Sequence, residues 1–166
     1  MQATCIWRIV IVLLLAAGIQ NSFAENWPCW RGPRGDGTSL ETKVPVQWDA
    51  NTHIVWKTPV PGVGYASPIV WDNHIFTATA MPDSQERMLL CFDRKTGACL
   101  WSKTVLKSPL EKKHADNSYA SGTPATDGKY VYVSFLDGKD VVVAAYDFAG
   151  EPIWLKRPGT FSSPHG

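Results

Sequence analysis

The stretch CFDRKTGACLW, Cys91 to Trp101, returns at Ala145 to Trp154 as AYDFAGEPIW, with a small residue, Asp, Gly and Trp in the same order. Each residue type has a mechanical use. The Asp side chain can bond the amides of a tight turn, and Gly admits positive φ where the turn closes. The Trp offers a broad ring for packing and one N–H that seeks an acceptor. A turn written twice points to a structural unit used twice.

Trp56, Trp101 and Trp154 stand 45 and 53 residues apart, close to the roughly 40–50 residues of a four-stranded repeat. The signals between them recur in order. After Trp56 come ASPIVWDNHIFTATA (Ala66 to Ala80) and LLCFDRKTGACLW; after Trp101 come SGTPATDGKYVYVSF (Ser121 to Phe135) and VAAYDFAGEPIW. Asp72-Asn73 and Asp127-Gly128 predict two-residue hairpin turns between runs of alternating β-branched and aromatic residues. No helical spacing is found beyond the amino terminus. The 12 prolines and 13 glycines also discourage long helices.

The fold predicted is therefore all-β, a β-propeller of four-stranded antiparallel blades. Blades are expected at about 56–101 and 102–154, after a partial first blade within 25–55. A third copy begins at Ser163-Pro164, which matches Ser67-Pro68, and stops there. Two blades and two stubs leave the ring incomplete with unpaired edges, so the sequence is expected to be the front piece of a longer chain. The longer second interval places an insertion within VLKSPLEKKHADNS, Val105 to Ser118, an exposed connection of the kind that binds partners.

At the amino terminus Arg8 precedes the apolar run Ile9 to Ile19, and Ser22-Phe23-Ala24 supplies small residues for cleavage. This predicts a signal peptide over 1–24 and a periplasmic or secreted protein. The run is about half the roughly 20 residues of a membrane span, and no lipobox precedes Cys5 or Cys29. Cleavage removes Arg8, and the remaining 15 basic residues balance 15 acidic ones. A nucleic-acid binder would carry a basic stripe, so nucleic acid is not an expected partner.

Three cysteines remain, Cys29, Cys91 and Cys99. If the turn pairs symmetrically, Cys91 and Cys99 face each other across a hairpin, as a disulfide or as two half-buried thiols. No C-x-x-C, H-E-x-x-H or G-x-S-x-G occurs. Arg34-Gly35-Asp36 reads as a Gly- and Pro-punctuated turn. His53, His74, His114 and His165 lack metal spacing. His114, Asp116 and Ser118 share one loop, too loose for a working constellation.

The pattern small-x-Asp-x-x-Thr-Gly-x-x-x-Trp at Cys91, Asp93, Thr96, Gly97 and Trp101, repeated in part at Ala145, Asp147, Gly150 and Trp154, resembles the tryptophan-docking motif of PQQ-like β-propellers. The opening NWPCWRGPRGDGTS (Asn26 to Ser39), with WKTPVPG and ASPIV, is similar to the start of secreted bacterial members. The resemblance implies that Trp56, Asp93, Gly97, Trp101, Asp147, Gly150 and Trp154 lock successive blades, and it assigns none of them to catalysis, cofactor or metal. It also implies a non-catalytic platform for protein or cell-envelope partners. The alternative is the front of a quinoprotein dehydrogenase that oxidises alcohols or sugars with PQQ and calcium. Adjacent cysteines, found in many such enzymes, are absent.

Overall fold

The computed structural model describes residues 24–162; the predicted signal peptide, apart from Ala24, and the Ser163-Pro164 copy lie outside them. Eight strands form two sheets, and no helix occurs among the described residues. The first sheet holds β1 (Ile69–Trp71), β2 (His74–Met81), β3 (Glu86–Asp93) and β4 (Cys99–Lys107). The second holds β5 (Ala125–Thr126), β6 (Tyr130–Asp137), β7 (Asp140–Asp147) and β8 (Pro152–Thr160). Each is ordered as the chain runs, antiparallel throughout.

Register follows from burial. Phe76 opposes Cys91, and Ala78 opposes Leu89. Val131 opposes Tyr146, Val133 opposes Ala144, and Phe135 opposes Val142. Since alternate residues share a face, these two sets make two apolar faces, which pack into one core with Ile69, Leu106 and Ala120. Each large side chain fully withdrawn from water there contributes about 1.5–3 kcal/mol. A one-residue slip would turn Phe76 and Leu89 outward, so the core holds the register.

Three local expectations need correction. Cys91 lies opposite Trp101, not Cys99, because a bulge between Cys91 and Phe92 makes Leu100 an extra residue, with Phe92 opposite Cys99. Cys91 is buried, Cys99 exposed, and both are free thiols. Secondly, the β5–β6 pairing ends at Thr126 and Val131, so Asp127-Gly128 is not by itself the turn. Asp127 instead accepts the Lys129 and Tyr130 amides at 2.9 and 2.8 Å, with Gly128 at φ +88° between them. Asp72-Asn73 is the expected two-residue turn, between the paired Trp71 and His74. Thirdly, Val105 to Lys107 belong to β4, so irregular chain starts only at Ser108.

The bulge recurs. Ala145 opposes Trp154 while Tyr146 opposes Pro152, which makes Ile153 the extra residue at the matching place in the second sheet. A bulge re-aims the side chains beside it. Here it sets Trp101 and Trp154 at equivalent stations on their sheets.

Candidate functional site

The turn at Asp93 is built from the Asp outward. Its Oδ1 accepts the Lys95 amide at 3.0 Å and both the Thr96 amide and hydroxyl at 2.8 Å. These bonds, the Thr96 hydroxyl first, hold the Asp93 carboxyl below its ordinary range. Gly97 closes the turn at φ +72°. Asp147 repeats the device with one bond, from the Glu151 amide at 2.8 Å, and Gly150 closes its turn at φ +84°.

Each turn seats a tryptophan from elsewhere in the chain. Trp56 donates its indole N–H to the Arg94 carbonyl at 2.9 Å, and a Cβ at Gly97 would come within 2.5 Å of its ring. Trp101 donates to the Phe148 carbonyl at 2.9 Å, and a Cβ at Gly150 would lie 2.9 Å from its ring. The acceptor is in both cases the carbonyl directly after the Asp. Glycine is thus required twice over, for the dihedral and for the ring.

Trp56, Asp93 and Gly97 therefore meet in one contact, and Trp101, Asp147 and Gly150 in a second, which joins the two sheets. Trp154 is 37% exposed. Its ring lies 6.0 Å from Tyr132, and no turn receives it among the described residues.

Sequence reasoning missed two related contacts. Trp71 on β1 covers Gly128, where a Cβ would lie 2.4 Å from the indole, so the sheets are joined at β1 and the β5–β6 turn as well. Phe76, Phe148 and His74 gather beside Trp101, with Phe76 and Phe148 centroids 5.0 Å apart. The overlooked signal was the Trp immediately before Asp72 and the Gly after Asp127.

The opposite end of the sheets carries the long connection. Arg87 on β3 has a fully buried side chain, ion-paired with Glu111 and bonded to the Ser108 carbonyl at 2.7 Å. Tyr65 and Ala66 both donate to the Ala120 carbonyl, at 2.9 and 3.0 Å. Tyr-Ala-Ser at 65–67 and again at 119–121 is a repeated element that the spacing of Trp alone does not expose. On the other side of the first sheet, the segment from Trp56 to Pro68 and the residues Ile75, Thr77, Thr79 and Phe92 line a groove of about 410 Å³.

The remaining candidates are occupied in turns. Arg34 pairs with Glu25, and Asp36 accepts the Thr38 amide and hydroxyl at 2.8 Å, so Arg34-Gly35-Asp36 is tied into its own loop. The His114 ring nitrogen takes the Asp116 amide, and the Ser118 hydroxyl takes the Ala120 amide. No group of three His, Cys, Asp or Glu placed to hold a metal occurs among the described residues. Asp93, Asp127 and Asp147 are spent on turn amides, and Cys91 lies inside the core.

No protein-family model matches the chain. Among curated proteins, tetrathionate hydrolase of Acidithiobacillus ferrooxidans (strain ATCC 23270 / DSM 14882 / CIP 104768 / NCIMB 8455) is 34% identical over 68 residues. That match spans 34% of this chain and 14% of the relative, so it covers about a seventh of that protein's length. The chain is similar to that protein over this short stretch.

Proposed function

We propose that the chain is part of an exported PQQ-like β-propeller that serves as a binding or assembly platform. One observation carries the reading: the same Trp-on-Gly contact, with the same indole bond to the carbonyl after an Asp, occurs at Trp56 and at Trp101. A contact that repeats from one sheet to the next is what a ring of blades needs. The conspicuous Asp, Gly and Trp residues then act in architecture, and Trp154 is the next lock in the series. Binding falls to the connections, led by Ser108 to Pro124, where backbone outside the sheets is presented to partners.

Export is part of the same reading and rests on residues 1–24. Amino-terminal sequencing of protein recovered from the periplasm or medium should begin at Glu25. Recovery of uncleaved protein in the cytoplasm would count against it.

The platform role is tested by equilibrium dialysis of the full-length protein with PQQ and calcium, followed by dye-coupled oxidation of alcohols and sugars. No stoichiometric quinone uptake is expected. Tight uptake with turnover would replace the platform by the quinoprotein dehydrogenase alternative. The similarity to a tetrathionate hydrolase favours a second enzymatic reading, and loss of tetrathionate from a solution of the pure chain would establish it.

A further inference from the structure

Predicted cleavage after Ala24 makes Glu25 the first residue of the exported chain. That residue is held at both ends. Its backbone amide donates to Oε1 of the Glu41 carboxylate at 2.7 Å. Its own carboxylate takes both terminal nitrogens of Arg34, the second at 3.0 Å, and the Leu40 amide at 3.5 Å. The bond from Arg34, the largest influence on it, holds the Glu25 carboxyl below its ordinary range. Glu25 and Glu41 are both half-buried.

The residues that follow lie along the edge strands of both sheets. Asn26 accepts the Asp72 amide at 2.7 Å at the β1–β2 turn. Trp27 pairs with Val70 of β1, donating at 2.8 Å and accepting at 3.0 Å. Pro28 accepts the Thr126 amide of β5 at 2.9 Å. Residues 25–28 therefore form a strap that spans β1 and β5, the first strands of the two sheets.

While the leader is attached, the Glu25 nitrogen is a neutral amide. Hydrolysis of the Ala24–Glu25 peptide bond by a signal peptidase adds one water: the carboxylate stays on Ala24 and departs with the leader, and the freed Glu25 amine takes up a proton. We propose that this cleavage locks the strap, because the new α-ammonium of Glu25 forms an ion pair with the Glu41 carboxylate and so fixes the joint that residues 25–28 make across β1 and β5. The nitrogen already stands at bonding distance from Glu41, so the chain need not rearrange. A hydrogen bond between charged groups is about twice as strong as a neutral one.

The neighbouring charges favour Glu41 as the partner. Arg94, in the turn after β3, reaches the Ala24 carbonyl at 3.4 Å and the Asp72 carbonyl at 3.2 Å; the first of these bonds leaves with the leader. Arg34 is engaged by the Glu25 carboxylate, and the Asp72 carboxylate accepts the Asn26 side-chain amide at 3.4 Å. A terminal amine ordinarily titrates at about 7.7–8.0, and a carboxylate partner raises that value. The lock is therefore complete below pH about 8 and is lost as pH rises through the raised value. This inference rests on the predicted cleavage and is indifferent to whether the exported protein is platform or enzyme.

The test uses full-length protein recovered after export, before and after selective acetylation of its terminal amine, which returns the Glu25 nitrogen to a neutral amide. Hydrogen exchange at the Trp27, Val70 and Thr126 amides should run about threefold to tenfold faster in the acetylated form, the step between a charged and a neutral bond. Glu41→Gln keeps an acceptor and removes its charge. It should accelerate exchange to the same degree, and acetylating that variant should add nothing further. The terminal amine, isotope-labelled and titrated by NMR, should have a lower midpoint in Glu41→Gln than in the parent. Equal exchange in the free and acetylated parent, or two effects that simply add, would overturn the ion pair. Amino-terminal sequencing of the same sample keeps the two readings apart. A start other than Glu25 refutes the cleavage and the lock together, whereas a start at Glu25 with unmoved exchange refutes the lock alone.

Discussion

The contact between Trp101 and Gly150 can be taken apart by a double-mutant cycle. Trp101 is half-buried between the sheets, so truncation to Ala should cost about 2–4 kcal/mol, below the top of the range for a fully buried aromatic. Gly150→Ala carries two costs. The left-handed dihedral of +84° costs a residue with Cβ roughly 1–2 kcal/mol. The new methyl would also sit 2.9 Å from the indole, which must move and strain its bond to Phe148. Gly138 separates these costs, since it has φ +63° and no atom within 4 Å of the place its Cβ would take. Gly138→Ala should therefore read the dihedral alone. In a Trp101→Ala background, Gly150→Ala should fall to the same value, giving a coupling of about 2 kcal/mol. Urea unfolding followed by circular dichroism supplies the four free energies. Additivity within about 0.5 kcal/mol, or equal costs for Gly150→Ala and Gly138→Ala in the parent chain, would refute the seat.

Other consequences are as direct. Asp127 accepts bonds from the Tyr130 and Lys129 amides and the Tyr132 hydroxyl, which lower its pKa from 3.8 to about 2. Its contribution is therefore complete above its unfolded value and lost as pH falls from about 4 towards 2; Asp127→Asn should flatten that part of the stability profile, and an unchanged acid limb would contradict the turn. Glu111→Ala strands the buried Arg87 guanidinium and should cost about 3–5 kcal/mol, with Arg87→Met markedly milder; equal losses in thermal melts would count against the clamp. Burial, aided by Cys99 and Asp93, pushes the Cys91 thiol up to about 12, so a thiol reagent should label Cys99 in the native protein and Cys91 only after denaturation. Rapid native labelling of Cys91 would place it outside the core.

Much of this fold is written in short-range pattern. Alternation in KYVYVSF and the turn residues at Asp72-Asn73 mark strands and hairpins because burial of one sheet face imposes period two. The two docking turns were legible because Asp, Gly and Trp each have one efficient use there. The bulges at Leu100 and Ile153 were not, since an extra residue in a strand leaves the composition unchanged and shifts only the pairing. That shift is why Cys91 meets Trp101 instead of Cys99. Arg87 with Glu111 was hidden for a different reason: nothing local in a charged residue on β3 tells that a connection more than 20 residues away will bury it.

The indole N–H groups report the central claim without any substitution. Selective tryptophan labelling and exchange measured by NMR should find the Trp56 and Trp101 indole protons slow, held by Arg94 and Phe148. Those of the exposed Trp30 and Trp48 should exchange fast. If Trp56 and Trp101 exchange as quickly as Trp30, the tryptophans are not seated on the turns, and the account of a sheet-to-sheet repeat fails.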